Sequence, residues 1–83
     1  MNRRKLLKRL SSGSVQNTSF SDFTNLVEGL GFRLSRVSGS HHIFVHPGVP
    51  ELVNLQDVRG EAKPYQIRQL MKLVERYNLK LEE

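Results

Sequence analysis

Two stretches with the same helical spacing frame this chain and limit what it can fold into. Phe23, Leu26, Val27 and Leu30 fall at i, i+3, i+4 and i+7, and Ile67, Leu70, Met71 and Val74 repeat the pattern. Each marks the apolar stripe of an amphipathic helix. The segment between them instead alternates apolar and polar residues, and glycines and prolines break it into short pieces. Two one-faced helices flanking a few strands must bury their stripes on one side of a sheet. The pattern predicts an α+β domain with an antiparallel three-stranded sheet, helices on one face and the other face open.

In detail, the spacing predicts a helix over 21–30, opened by Ser19 with Asp22 three residues on and ended by Gly31. Gly29 should loosen its last turn, because glycine in a helix costs about 1 kcal/mol relative to alanine. Strands follow over 32–37 and 41–45, joined by a Ser38-Gly39-Ser40 turn, with a third over 52–55. Residues 46–50 must turn, since two prolines do not suit a central strand. Residues 56–63 read as a loop. Pro64 suits the first position of the second long helix, and Asn78 closes it after Tyr77. Leu79 and Leu81 can pack back on the body, while Glu82 and Glu83 should be loose.

Eighty-three residues hold one domain, and there is no cysteine, which excludes disulfides and thiolate zinc sites. No apolar run approaches the ~18 residues of a membrane span, and no apolar segment of a secretory signal is visible, so a cytoplasmic protein is expected. The net charge is +5. It is concentrated in Arg3, Arg4, Lys5, Lys8 and Arg9, because residues 1–18 carry no acid and the remainder balances. Leu6, Leu7 and Leu10 among these cations fit a short amphipathic helix. Residues 1–18 therefore read as a basic arm with a linker, and residues 19–83 as the domain. Such an arm attracts polyanions, or simply keeps a small protein soluble.

All three histidines lie in the octet Gly39-Ser40-His41-His42-Ile43-Phe44-Val45-His46. Imidazole, with an unperturbed pKa of roughly 6.5, exchanges protons near neutrality. A shared metal is disfavoured: His41 and His42 point to opposite faces of a strand, and His42 and His46 stand ~13 Å apart along it. No nucleophile elbow and no phosphate-binding glycine loop is present. Proton transfer by one histidine survives. RNA supplies its own nucleophile, the 2′-hydroxyl, so a base and phosphate-holding cations suffice for cleavage. Arg33, Arg36, Arg59 and Lys63 are the candidate cations, Lys63 standing just before a helix N-terminus.

Leu30-Gly31-Phe32, the run Gly39-Ser40-His41-His42-Ile43-Phe44 and the following His46-Pro47 together resemble the HicA toxins of bacterial toxin–antitoxin pairs. The likeness spans about residues 20–77. It extends to Asn54-Leu55-Gln56 and Ala62-Lys63-Pro64-Tyr65-Gln66, which look like one branch of that family. The resemblance implies a fold like the double-stranded RNA-binding domain, α-β-β-β-α, here with a short N-terminal helix added. It implies a toxin that cleaves mRNA, needs no cofactor or metal, and is held inactive by a HicB-like antitoxin. It assigns catalysis to His41, with His42 as a secondary candidate, and places Ser40 beside the phosphate. One departure stands out. Many HicA toxins carry Val-Pro-x-His after the third strand, where this chain has Val53-Asn54-Leu55-Gln56. A non-catalytic RNA- or partner-binding module, or a decayed toxin, is the rival reading.

The parity of the second strand is the open question. Counting apolar groups turns Ile43 and Val45 inward and buries His41. Turning Phe44 inward exposes His41 instead, and a one-residue slip swaps every side chain. The size of an aromatic ring favours Phe44 inward.

Overall fold

The computed structural model describes residues 2–82, so the expected looseness of Glu83 lies outside it. Three helices and four strands follow in the order α1 (Arg3–Ser11), α2 (Phe20–Gly29), β1 (Arg33–Ser38), β2 (His41–His46), β3 (Val49–Val58), β4 (Glu61–Ala62) and α3 (Pro64–Arg76). The sheet is antiparallel with spatial order β1-β2-β3-β4. Helix, antiparallel sheet and helix, preceded by a short helix, make the α+β arrangement expected. The sheet has four strands rather than three.

The helix ends follow from local chemistry. Ser19 caps α2 by accepting from the Asp22 amide at 3.0 Å. Asn2 does the same for α1, accepting from the amides of Arg4 at 2.8 Å and Lys5 at 3.1 Å. These caps satisfy amides that have no partner inside the helix. Pro64 opens α3. Asn78, just past its end, takes a positive φ of 53°. Gly29 does not loosen α2, because its missing side chain admits α1. A Cβ there would lie 2.8 Å from Arg3 Cδ, and the Arg3 guanidinium bonds Asn25 Oδ1 at 2.6 and 3.0 Å.

Both predicted stripes are buried at their centres. Phe23, Leu26, Val27 and Leu30 meet Ile67 and Leu70 over Phe44, Val53 and Leu55 of the sheet, while Met71 and Val74 are only partly buried. Leu6 and Leu10 of α1 enter this same core. The helix layer stops short of β1, where every residue is exposed, including Leu34 and Val37.

Two expectations for the third strand fail together. The turn is only Pro47-Gly48, and Pro50 lies within β3. Proline is tolerated there because the β2–β3 register is irregular: Phe44 pairs with Val53 and His46 with Val49, leaving Pro50 without a partner. On its other side, β3 meets β4 only at Asp57 and Val58, so Pro50 also lies on an open edge. The segment 56–63 is not a loop. β3 runs to Val58, turns through Arg59 and Gly60, both at positive φ, and returns as β4. Two successive left-handed residues are what a tight hairpin requires. The short β4 is held on its far side by residues before α2. Phe20 N donates to Gly60 O at 2.8 Å, and Ala62 N to Thr18 O at 2.9 Å.

The C-terminal tail is also fastened. Leu79 and Leu81 pack on the core, and Glu82 N donates to Gly29 O at 2.7 Å, so Glu82 is not loose. Nearby, Gly31 takes φ +97°, and a Cβ on it would come within 2.6 Å of Glu82 and 2.8 Å of His46.

Two outcomes test this packing. Phe44→Ala should cost about 3–5 kcal/mol in urea unfolding, and Ile43→Ala clearly less, because only the first empties the core; equal losses would contradict the observed parity. The second concerns the end of α3, where Tyr77 Oη donates to Glu51 Oε1 at 2.7 Å and Arg76 lies 3.2 Å from Glu51 Oε2. The Tyr77 hydroxyl foremost, with Arg76 assisting, holds the Glu51 carboxyl below its ordinary 4.5. A lowered folded-state pKa gives stability that is present above the ordinary value and lost as pH falls through the folded one. Tyr77→Phe should therefore be less stable than wild type at neutral pH, with the gap narrowing in acid. A gap that stays constant into acid would contradict the linkage.

Candidate functional site

The burial of Phe44 fixes which way each histidine points. Phe44 is only 2% exposed, so His42 and His46, two residues to either side, share its covered face. His41, Ile43 and Val45 take the open face. The parity that exposes His41 is thus the one adopted, and His41 is exposed at the first position of β2.

Each ring is held differently. His42 lies edge-on to Phe20 at 4.8 Å, and its Nδ1 is 3.2 Å from Ser40 O. His46 packs against Phe32 at 5.0 Å, and its Nδ1 accepts from Gly48 N at 2.9 Å. Both rings serve as packed polar residues between sheet and helix layer. His41 has no aromatic neighbour, and its Nδ1 lies 3.1 Å from Asn54 Oδ1.

The turn that delivers His41 is clamped from β3 and α3. Gly39 takes φ +60°, which lets the chain reverse between Ser38 and His41. Ser40 O accepts from Asp57 N at 2.9 Å, and Ser40 Oγ accepts from Gln56 Nε2 at 3.3 Å. Gln56 is steadied in turn, because its backbone N–H donates to Oε1 of the buried Gln66 at 2.9 Å. Two polar side chains, Gln56 of β3 directly and Gln66 of α3 through it, therefore bear on one short turn.

Cross-strand register places the cations. Ser38 pairs with His41, Arg36 with Ile43 and Arg33 with Val45, so Arg33 and Arg36 share the open face with His41. Arg36 stands diagonal to His41, a spacing of about 7–8 Å that long side chains bridge. Arg59 sits at the tip of the β3–β4 turn, at the same end of the sheet as Ser40. Lys63 lies instead at the start of α3 in the helix layer, its Nζ 5.6 Å from the centre of the Tyr65 ring. Five of the seven predicted site residues gather around one turn and one face: Arg33, Arg36, Ser40, His41 and, at the margin, Arg59. His42 and Lys63 belong to the opposite side. Within the basic N-terminal segment, Arg3 is bound to Asn25 and Arg9 to Thr18, the latter at 2.6 Å. Much of that segment is therefore built into the body.

Sequence reasoning missed Asn54, Gln56 and Gln66. Asn54 and Gln56 alternate with the apolar Val53 and Leu55, which marks them as open-face residues. Gln66 is a polar residue one helical turn before Leu70, and such a placement signals a buried hydrogen bond. Among the described residues no group of three or more His, Cys, Asp or Glu is placed to hold a metal ion. Among the same described residues no helix is long and apolar enough to cross a membrane.

The architecture is a small antiparallel sheet with its helices on one side and a Gly-Ser-His turn presented on its open face. The family of the HicA toxins of bacterial toxin–antitoxin systems matches residues 20–75, more than half of the chain. The chain belongs to the HicA toxin family. Neither a curated protein nor a solved structure gave a significant match.

Gln66→Leu should cost about 1–3 kcal/mol, since the Gln56 N–H loses its acceptor while the helix keeps its shape. Amide exchange at Gln56 should accelerate more than at Val53. Unchanged exchange at Gln56 would show that Gln66 does not support the turn.

Proposed function

We propose that this HicA-family chain is an endoribonuclease acting on mRNA, with His41 as the general acid/base. The observation that carries the reading is the selective exposure of His41. Of three histidines in one octet, it alone stands on the open face without aromatic packing. A flat, open sheet suits a long polymer better than a small metabolite, which would need a concave pocket.

The chemistry needs few groups. Neutral imidazole removes the proton of a ribose 2′-hydroxyl, and the oxygen attacks the adjacent phosphorus. The P–O5′ bond breaks, and the leaving oxygen takes a proton from imidazolium or water. The products are a 2′,3′-cyclic phosphate and a 5′-hydroxyl. Arg36 opposes the charge gathering on the phosphate oxygens, Arg33, farther along the sheet opposite Val45, holds a neighbouring backbone phosphate, and Ser40 supplies a hydroxyl donor beside His41. Arg59, at the same end of the sheet, extends the positive track for the RNA backbone, and Lys63 serves strands that wrap toward α3. His42 keeps a supporting role through Ser40 O.

The natural partner is a HicB-type antitoxin, and covering the open face would silence the site by excluding RNA. Acting on mRNA places the protein in the cytoplasm. The rival reading is a module that retains RNA without cutting it, and the missing histidine at Val53-Asn54-Leu55-Gln56 is the feature that favours it.

Purified protein incubated with a long mRNA and excess chelator separates these. Wild type should cut, and His41→Ala should lose about 10²–10⁴-fold in rate, the share that a positioned acid/base contributes. Its circular dichroism and unfolding midpoint should remain those of wild type. RNA retained without product by the wild type, or cutting unaffected by His41→Ala, would overturn the proposal.

A further inference from the structure

We propose that Asn54 is a positioning residue for His41: its side-chain oxygen holds the proton on Nδ1 and leaves Nε2 as the outward-facing basic nitrogen. The inference deepens the ribonuclease reading and rests on it for its catalytic consequence. The protonation pattern itself can be read without any RNA.

Asn54 pairs with Ile43, which puts it diagonal to His41 on the open face. Its Oδ1 stands 3.1 Å from His41 Nδ1, and an amide oxygen only accepts, so the ring nitrogen must donate. In a neutral imidazole the other nitrogen then carries the lone pair. Ring orientation and proton location are thus set by a single contact, from a residue held in the middle of β3 rather than in a loop. Asn54 also lies in the segment where many relatives of this type place a second histidine. In that segment Gln56 takes the histidine's place, while Asn54, two residues earlier, directs the first histidine but cannot itself move protons near neutrality.

The two other rings provide contrast within the same molecule. His42 Nδ1 faces the Ser40 carbonyl and must also carry its proton. His46 Nδ1 accepts from Gly48 N–H, so its proton must sit on Nε2. Of the three rings, His41 alone combines a directed Nδ1 with an exposed position on the open face. A general base aimed at a ribose hydroxyl needs its lone pair on the solvent side, and this arrangement supplies it.

The test is long-range proton–nitrogen correlation spectroscopy on the full chain labelled with ¹⁵N at histidine, recorded where the rings are neutral. The His42 and His46 signals act as internal references for the two protonation patterns. Wild-type His41 should show a protonated Nδ1 and a bare Nε2. Asn54→Leu, close in size but lacking the acceptor, should move the proton to Nε2, while Asn54→Asp should keep it on Nδ1. In parallel, RNA cleavage should fall by about 10-fold in Asn54→Leu, a fraction of the total acid/base contribution, and recover in Asn54→Asp. A wild-type ring already protonated at Nε2, or an unchanged pattern in Asn54→Leu, would overturn the assignment. Wild type with Nδ1 protonated but no RNA cleavage would uphold the role of Asn54 toward the ring and defeat the ribonuclease reading alone.

Discussion

Burial of the Phe44 ring decides which way every side chain of β2 points, its three histidines included. Strand side chains alternate, so placing one aromatic under the helices sends His42 and His46 inward with it and His41 outward. Had Ile43 and Val45 been the buried pair, the exposed imidazoles would have been His42 and His46, and His41 would have been turned under the helices. Burying Phe44 contributes more than burying either aliphatic neighbour, because its apolar area is larger. One packing choice in the core is therefore also a choice of which imidazole meets solvent.

Polar contacts refine what packing sets. Gln66 of α3 holds the Gln56 backbone, Gln56 holds Ser40, and Asn54 meets His41. The chain of contacts runs from the helix layer through β3 to the hairpin turn and ends at the catalytic candidate. Most of these groups are exposed, so each bond contributes little to stability. Their effect lies in orientation, which a site built from one histidine needs more than strength. β3, which carries no histidine, brings the Asn54 amide to within 3.1 Å of His41 Nδ1.

The helices were legible because their stripes repeat over two turns with clear caps at Ser19, Pro64 and Asn78. The parity of β2 was legible only once ring size was weighed against a simple count of apolar groups. The end of the sheet was not legible. Pro50 within β3 depends on an irregular register with β2, and β4 is held because Thr18 and Phe20 bond the backbone of Ala62 and Gly60, contacts between residues forty or more positions apart. Backbone pairing of that kind leaves no periodicity. For the site, elimination left proton transfer by one histidine of the octet, and the resemblance to HicA toxins singled out His41. Arg33 and Arg36 were named on charge alone, and their common face follows from register. Asn54 was read only as part of a motif, because a lone amide on a strand gives no sign of a site role until its diagonal neighbour is known.

The chemistry of the cut ends tests the central claim most directly. An exposed imidazole activating the ribose 2′-hydroxyl leaves fragments ending in a 2′,3′-cyclic phosphate, or the monophosphate formed by its hydrolysis, with 5′-hydroxyls on the downstream pieces. Mass spectrometry of an RNA oligonucleotide cut by the purified protein should find those ends. Fragments with 3′-hydroxyl and 5′-phosphate ends would mean that water, not the ribose, attacks phosphorus, and would contradict the account.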